Sequence, residues 1–220
     1  MGLRSGVERA VLLAAIIGGV SFVLSWGQGL PPWVELAWKG SGVGLLAVYA
    51  ALKARSLDGW LLVAVMALGA TGDVLLGAIS LVVGAIAFLA GHLVAIGLYL
   101  RNRRPAVSRS QLALAIVLVP ATVAIAWMLP ADRASAPGIA VYSLGLAVMA
   151  ACAWISRFPR FWTGLGAVMF VVSDLLIFAR LGPLPDNFET GLAVWGLYFA
   201  GQLMICLGVS GRLADDRRSA

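Results

Sequence analysis

Two aspartates, Asp73 and Asp174, stand inside long apolar segments of the chain. They are the only acids deep inside such segments, and their contexts match: Gly-Asp-Val-Leu-Leu around the first, and Ser-Asp-Leu-Leu around the second. A charged aspartate at the centre of a bilayer costs about 2.5–3.5 kcal/mol, so an intramembrane aspartate is a functional hypothesis by default. Two in matched contexts predict a site.

Two carboxyl groups in an apolar chamber can perform acid–base catalysis. Neighbouring carboxyl groups lose their protons in separate steps, so one can donate a proton while the other stays anionic. Glycosidases use such a pair to cleave acetals through an oxocarbenium ion. The pair therefore suits acid-catalysed cleavage of an acetal or an enol ether. A plainer interpretation is that the aspartates cap helix ends or form hydrogen bonds between helices.

Four more polar residues lie within apolar segments: Lys39, His92, Tyr198 and Gln202. Tyr198 and Gln202 are four residues apart and share a helix face. We expect these four to bind or orient a substrate or a water molecule. Alternatively, Lys39 extends to the surface or pairs with Glu35 one turn earlier. His92 can equally be a core histidine, and Tyr198 and Gln202 can simply join helices.

The same inventory argues against several other chemistries. A single histidine cannot build a three-histidine zinc site. The sequence contains no Gly-x-Ser-x-Gly elbow and no phosphate-binding loop. The last apolar segment has no lysine for a retinal Schiff base, and Cys152 and Cys206 fit neither a disulfide framework nor a metal site. Carboxylate chemistry needs no cofactor, and we expect none.

Membrane-spanning helices must position these residues. Of the 220 residues, 61% are hydrophobic and 12% are charged, whereas a soluble domain is about 45–50% apolar and about 25% charged. Apolar segments of about 17–21 residues can each cross a ~30 Å hydrocarbon core. Eight such segments predict an all-α polytopic protein with a single integral membrane domain, residues 1–220. The predicted spans are 10–27, 33–52, 59–77, 81–100, 111–129, 137–156, 161–180 and 190–210.

The first span follows two arginines but lacks a small-residue cleavage site, so we expect a helix rather than a signal peptide. Thirteen of the 16 basic residues flank the spans on one side, and only Arg133 and Arg180 lie in loops on the other. The positive-inside rule then places both termini in the cytoplasm, with a bacterial inner membrane as the expected location. Topology accounts for the net charge of +6, and we expect no nucleic-acid partner.

An internal echo links the two halves of the chain. Phe-Leu-Ala-Gly-His-Leu at 88–93 resembles Tyr-Phe-Ala-Gly-Gln-Leu at 198–203, so spans 3 and 4 match spans 7 and 8. An offset of four spans predicts a parallel four-plus-four duplication. At ~1.5 Å per residue, Asp73 lies roughly 6 Å and Asp174 roughly 9 Å from the outer ends of their spans, with His92 and Gln202 nearer the midplane.

These segments together resemble the YhhN-like lysoplasmalogenase family of eight-span membrane proteins. The resemblance runs in order along most of the chain, from about residue 38 to 208. It rests on Gly72-Asp73-x-x-Leu76, Ala90-Gly91-His92, Ser173-Asp174-Leu175-Leu176 and Tyr198-x-x-x-Gln202. One departure is that Lys39 is followed by Gly40, where the family often has proline.

The resemblance implies a lysophospholipid substrate whose vinyl ether bond is hydrolysed to a fatty aldehyde and a glycerophospho head group. For this reaction we expect one of Asp73 and Asp174 to be the general acid and the other to activate water and stabilise the cation. Two other classes stay open: a small transporter or lipid flippase, and a structural factor in which the aspartates only hold helices together. The oligomeric state also stays open.

Overall fold

The computed structural model describes residues 2–219, with side chains from residue 5 onward. Within that part the fold is all-α, as predicted, with no extended strand beyond one isolated bridge. The eight α-helices are α1 (Gly2–Ser21), α2 (Pro32–Lys53), α3 (Leu57–Ala78), α4 (Leu81–Arg101), α5 (Arg109–Met128), α6 (Ala136–Ile155), α7 (Leu165–Ala179) and α8 (Phe188–Ser219).

Seven helices of the described chain are long and apolar enough to cross a membrane. This set counts α1 together with the 3-10 turn that follows it, and α7 together with a π-helical turn, Arg160–Gly164, that precedes it. The remaining helix is α2, in which Glu35, Lys39 and Lys53 interrupt the apolar sequence. The chain is therefore that of an integral membrane protein.

The chain forms two compact units. One comprises the chain up to Ala95 together with the segment from Val209, and the other runs from Ile96 to Gly208. The first unit thus holds α1 to α3 and most of α4, and the second holds α5 to α7 and most of α8. In the first unit, α1 packs on α2 and α2 packs on α3; in the second, α5 packs on α6 and α6 packs on α7.

A tight turn precedes α2. Gly27 and Gly29 have φ of +72° and +63°, a left-handed conformation that glycine adopts without steric cost. Pro32 then opens α2 at a position where the missing N–H costs no hydrogen bond.

Small residues fix how α2, α3 and α4 align in the first unit. A Cβ added to Gly40 would lie 2.8 Å from Val74 Cγ2, and one added to Gly77 would lie 2.7 Å from Leu36 Cδ2. The ring of Phe88 in α4 likewise lies directly on Gly72, 2.7 Å from where a Cβ would stand. These contacts fix which residues of the three helices share a level.

In the second unit, α7 and α8 cross closely. A Cβ added to Gly166 would lie 2.6 Å from the carbonyl oxygen of Gly201, and one added to Gly201 would lie 2.6 Å from the carbonyl oxygen of Gly166. No side chain fits between the two backbones. Small residues allow such close approach in membrane proteins, where packing rather than the hydrophobic effect drives helix association.

Alanine at Gly201 is therefore expected to force α7 and α8 apart and to destabilise the protein by about 1–3 kcal/mol. The measurement is thermal unfolding of purified protein in mild detergent. The matched control is Gly196→Ala on the same helix, because a Cβ there meets nothing within 4 Å. Control protein should be as stable as the parent or slightly more so. Equal unfolding temperatures for the two variants would refute the tight crossing.

Candidate functional site

Asp174 is held by a tyrosine from the neighbouring helix. The hydroxyl of Tyr142 in α6 donates a hydrogen bond of 2.6 Å to Oδ2 of Asp174 in α7. Both residues are buried, with 5% of Asp174 and 8% of Tyr142 exposed. The ring of Tyr142 packs edge-on against Phe178, one turn after Asp174, with ring centroids 5.8 Å apart. Ring packing and hydrogen bond together fix the carboxylate.

The residue before Asp174 ties α7 to α8. Ser173 Oγ donates a hydrogen bond of 2.9 Å to the carbonyl oxygen of Val194. One turn further along α8, the ring of Tyr198 packs edge-on against Phe170 of α7 at 5.1 Å. These two contacts fix the position of α7 along α8. Asp174 therefore lies near the depth of Val194, and Tyr198 lies one helical turn after Val194.

Gln202 lies on the same face of α8 as Tyr198, as its spacing predicts, and is 2% exposed. Among the described residues its Oε1 has no hydrogen-bond partner. A buried acceptor without a partner costs about 1–3 kcal/mol, so this atom is suited to receive a hydrogen bond from a water molecule or a ligand hydroxyl. Ser143 Oγ, next to Tyr142 in sequence, is another buried polar atom of this unit that has no hydrogen-bond partner among the described residues.

In the first unit, Asp73 is 3% exposed and lies on the buried face of α3. It follows Leu62, Met66 and Gly69 at helical spacing, and all three are buried. On α2, Lys39 is half-buried and lies four residues before the buried Val43, so the two residues share a face of the helix.

The helix contacts place Lys39 and Asp73 at one level. Leu36 lies against Gly77, and Gly40 lies against Val74. Lys39 falls between Leu36 and Gly40, and Asp73 adjoins Val74, so the two charged residues lie level on adjacent helices.

His92 joins this group from α4. It is 3% exposed and lies one turn after Phe88, whose ring covers Gly72, the neighbour of Asp73. Three consecutive helices therefore bring Lys39, Asp73 and His92 within about two turns of each other in depth. Each of the three takes part in a hydrogen bond, an ion pair, a ring contact or another electrostatic interaction.

An open groove of about 470 Å³ lies between α2 and α3. Its walls are Ala37, Gly40, Ser41, Ala70, Thr71, Val74 and Leu75. None of Lys39, Asp73 and His92 lines this groove.

The structure thus groups the six predicted residues into two sets. Lys39, Asp73 and His92 lie in the first unit, and Asp174, Tyr198 and Gln202 lie in the second. Joint use of the two carboxylates stays a prediction.

Sequence reasoning missed Tyr142, the direct partner of Asp174. A signal was present: Tyr142 in the sixth helix follows Lys39 in the second by almost the same interval that separates Asp174 from Asp73. The similarity between the halves covers spans 3, 4, 7 and 8, and its extension to spans 2 and 6 pairs Lys39 with Tyr142.

Comparison with known proteins gives a consistent result. The sequence model of the YhhN family matches residues 34–209, a range that contains every residue of both sets. The chain is 32% identical over 210 residues to lysoplasmalogenase from Mycobacterium bovis, covering 87% of this chain and 79% of the relative. Lysoplasmalogenase from Mycobacterium tuberculosis matches with the same identity and coverage. No solved structure matches.

Proposed function

The chain belongs to the YhhN family, and from this membership we propose that it is a membrane-embedded ether hydrolase acting on lysoplasmalogen-type lysolipids. It cleaves their vinyl ether bond to release a fatty aldehyde and glycerophosphoethanolamine or glycerophosphocholine. The observation that carries the proposal is the similarity to lysoplasmalogenases over 87% of the chain. The two buried aspartates supply a chemistry that fits it.

The proposed reaction needs only proton transfers and water. One of Asp73 and Asp174 gives its proton to the vinyl carbon that is not bonded to oxygen, and the π electrons form the new C–H bond. The other carboxylate stabilises the resulting oxocarbenium ion and takes a proton from the water that attacks it. The hemiacetal then collapses: its hydroxyl returns a proton to the first aspartate, and the second protonates the departing glycerol oxygen.

The remaining predicted residues bind and orient. Lys39 holds the substrate phosphate, because it is the only basic side chain within the predicted spans away from their ends. Gln202 Oε1 accepts a hydrogen bond from water or from the glycerol hydroxyl, which satisfies an atom that has no hydrogen-bond partner among the described residues. His92 and Tyr198 orient the same groups.

The proposal includes an eight-span topology with both termini in the cytoplasm of a bacterial inner membrane, and a parallel duplication. The division into two compact units supports the duplication. So does the matched position of two glycines that face a neighbouring helix: a Cβ added to Gly91 of α4 would lie 3.4 Å from Leu68 Cβ of α3, and one added to the matching Gly201 of α8 would lie 2.6 Å from the carbonyl oxygen of Gly166 of α7. The thirteen basic residues that flank the spans on one side support the orientation.

The test is product analysis with purified protein in mild detergent. Lysoplasmenylethanolamine should yield aldehyde and glycerophosphoethanolamine in equal amounts, followed by mass spectrometry. The ester-linked lysophosphatidylethanolamine is the matched control lipid and should stay intact. Intact vinyl ether lipid after incubation with folded protein would contradict the proposal, and lipid movement across proteoliposomes in the same preparation would favour the transporter instead.

A further inference from the structure

Building on the proposed function, we infer that Tyr142 is a positioning residue that confines proton transfer at Asp174 to a single oxygen, Oδ1. Its hydroxyl occupies Oδ2 with a hydrogen bond of 2.6 Å. A carboxyl group has two oxygens that can carry the proton, and a donor on one of them leaves the other for the reaction. The inference holds whether Asp174 acts as the acid or as the base.

Packing around Tyr142 fixes the position of its hydroxyl group. The tyrosine ring is wedged against Phe178 with an interplanar angle of 84°, so the hydroxyl cannot swing away without breaking this packing. Phe178 and Asp174 lie four residues apart on α7, so the same helix carries both the carboxylate and the surface that holds its donor. Burial keeps bulk water from competing for Oδ2.

A contact with α8 restrains the backbone next to Asp174. The hydrogen bond from Ser173 Oγ to Val194 pins this turn of α7 to α8. The carboxylate is thus restrained both at its backbone and at one of its oxygens. Such restraint matters because proton transfer requires the reacting atoms within hydrogen-bonding distance and correctly aligned.

Tyr142→Phe keeps the ring and its packing and removes only the hydroxyl. We expect kcat to fall about tenfold to a hundredfold, the range for losing a hydrogen bond to a charged group, with KM changed less than about twofold. Tyr99→Phe is the matched control: Tyr99 is a buried tyrosine of the same unit whose hydroxyl has no partner among the described residues, and its loss should leave kcat unchanged.

A double-mutant cycle separates positioning from a general structural role. If Tyr142 acts through Asp174, then Tyr142→Phe combined with Asp174→Asn should be no slower than Asp174→Asn alone. If the losses of kcat in the two single variants multiply in the double variant, the inference is overturned. A folded Tyr142→Phe protein with the parental kcat would also overturn it.

Infrared difference spectroscopy tests the contact without turnover. The Asp174 carboxyl band, assigned by its loss in Asp174→Asn, should shift in Tyr142→Phe and not in Tyr99→Phe. An unshifted band would refute the inference. If the band shifts in Tyr142→Phe but the parent protein releases no aldehyde from the vinyl ether substrate, the contact is confirmed and the proposed function is refuted.

Discussion

Asparagine in place of Asp73 is expected to lower kcat for aldehyde release about 10²–10⁴-fold, the usual contribution of a general acid or base. Asparagine keeps the shape and burial of the side chain but can neither give nor take the proton. Asp174→Asn should cause a loss in the same range, and its amide oxygen can still accept the hydrogen bond from Tyr142. KM should change little in either variant, because the loss falls on the chemical step.

Asp58→Asn is the matched control for Asp73→Asn. Asp58 lies in the first turn of the same helix, at the end opposite Asp73, and its replacement should leave kcat unchanged. Each variant is checked for a monodisperse elution profile and a parental unfolding temperature. A folded Asp73→Asn or Asp174→Asn protein that retains parental turnover would remove that aspartate from the mechanism.

Methionine in place of Lys39 is expected to raise KM about tenfold to a hundredfold, because a hydrogen bond to a charged group contributes about 1.5–3 kcal/mol. Methionine preserves much of the aliphatic length of lysine, and it suits the buried face of α2. The measurement compares lysoplasmenylethanolamine with an alkenylglycerol that lacks the phosphate. Only the phosphate-bearing substrate should lose affinity.

Lys53→Met is the control for this lysine. Lys53 lies at the end of the same helix, where its ammonium donates to Tyr49 Oη at 3.2 Å and lies 5.2 Å from the centre of that ring. Its replacement should leave both KM values unchanged. If Lys39→Met raised KM equally for the substrate without phosphate, Lys39 would be supporting the helix and not binding the head group.

Each of the eight apolar segments overlaps one α-helix of the described chain, because an apolar segment of about twenty residues can cross a bilayer as a helix. They predicted the ends less well. The predicted eighth span ends at residue 210, but α8 continues to Ser219. Within this extension Arg212 and Asp216, one helical turn apart, form an ion pair with an N–O distance of 3.2 Å. A hydropathy pattern detects apolar segments, so it does not predict a polar extension of a helix that ion pairs stabilise.

The second helix shows a different limit. The sequence predicts a span here, and the 22 residues of α2 are helical, but α2 is not among the helices that length and composition identify as candidate spans, because it carries Glu35, Lys39 and Lys53. One of those charges, Lys39, lies level with Asp73. A residue that makes a span harder to recognise is here a candidate for the site, because function places polar groups where the bilayer disfavours them.

The individual aspartates could be predicted because a carboxylate in an apolar segment is conspicuous. Tyr142 could not be found in that way, since a tyrosine in an apolar helix is ordinary and its partner lies 32 residues away in sequence. The pairing depends on how α6 packs on α7, which periodicity does not specify. The close glycine crossing of α7 and α8 likewise emerges only from three-dimensional packing.

The most direct test of the proposed chemistry is turnover of lysoplasmenylethanolamine in heavy water. A coupled alcohol dehydrogenase reduces the aldehyde at once, which fixes any label before it can exchange. Acid cleavage of the vinyl ether predicts a fatty alcohol with one deuterium at carbon 2, released together with an equal amount of glycerophosphoethanolamine. Unlabelled alcohol, or no alcohol from folded protein, would contradict protonation of the vinyl carbon and with it the central claim.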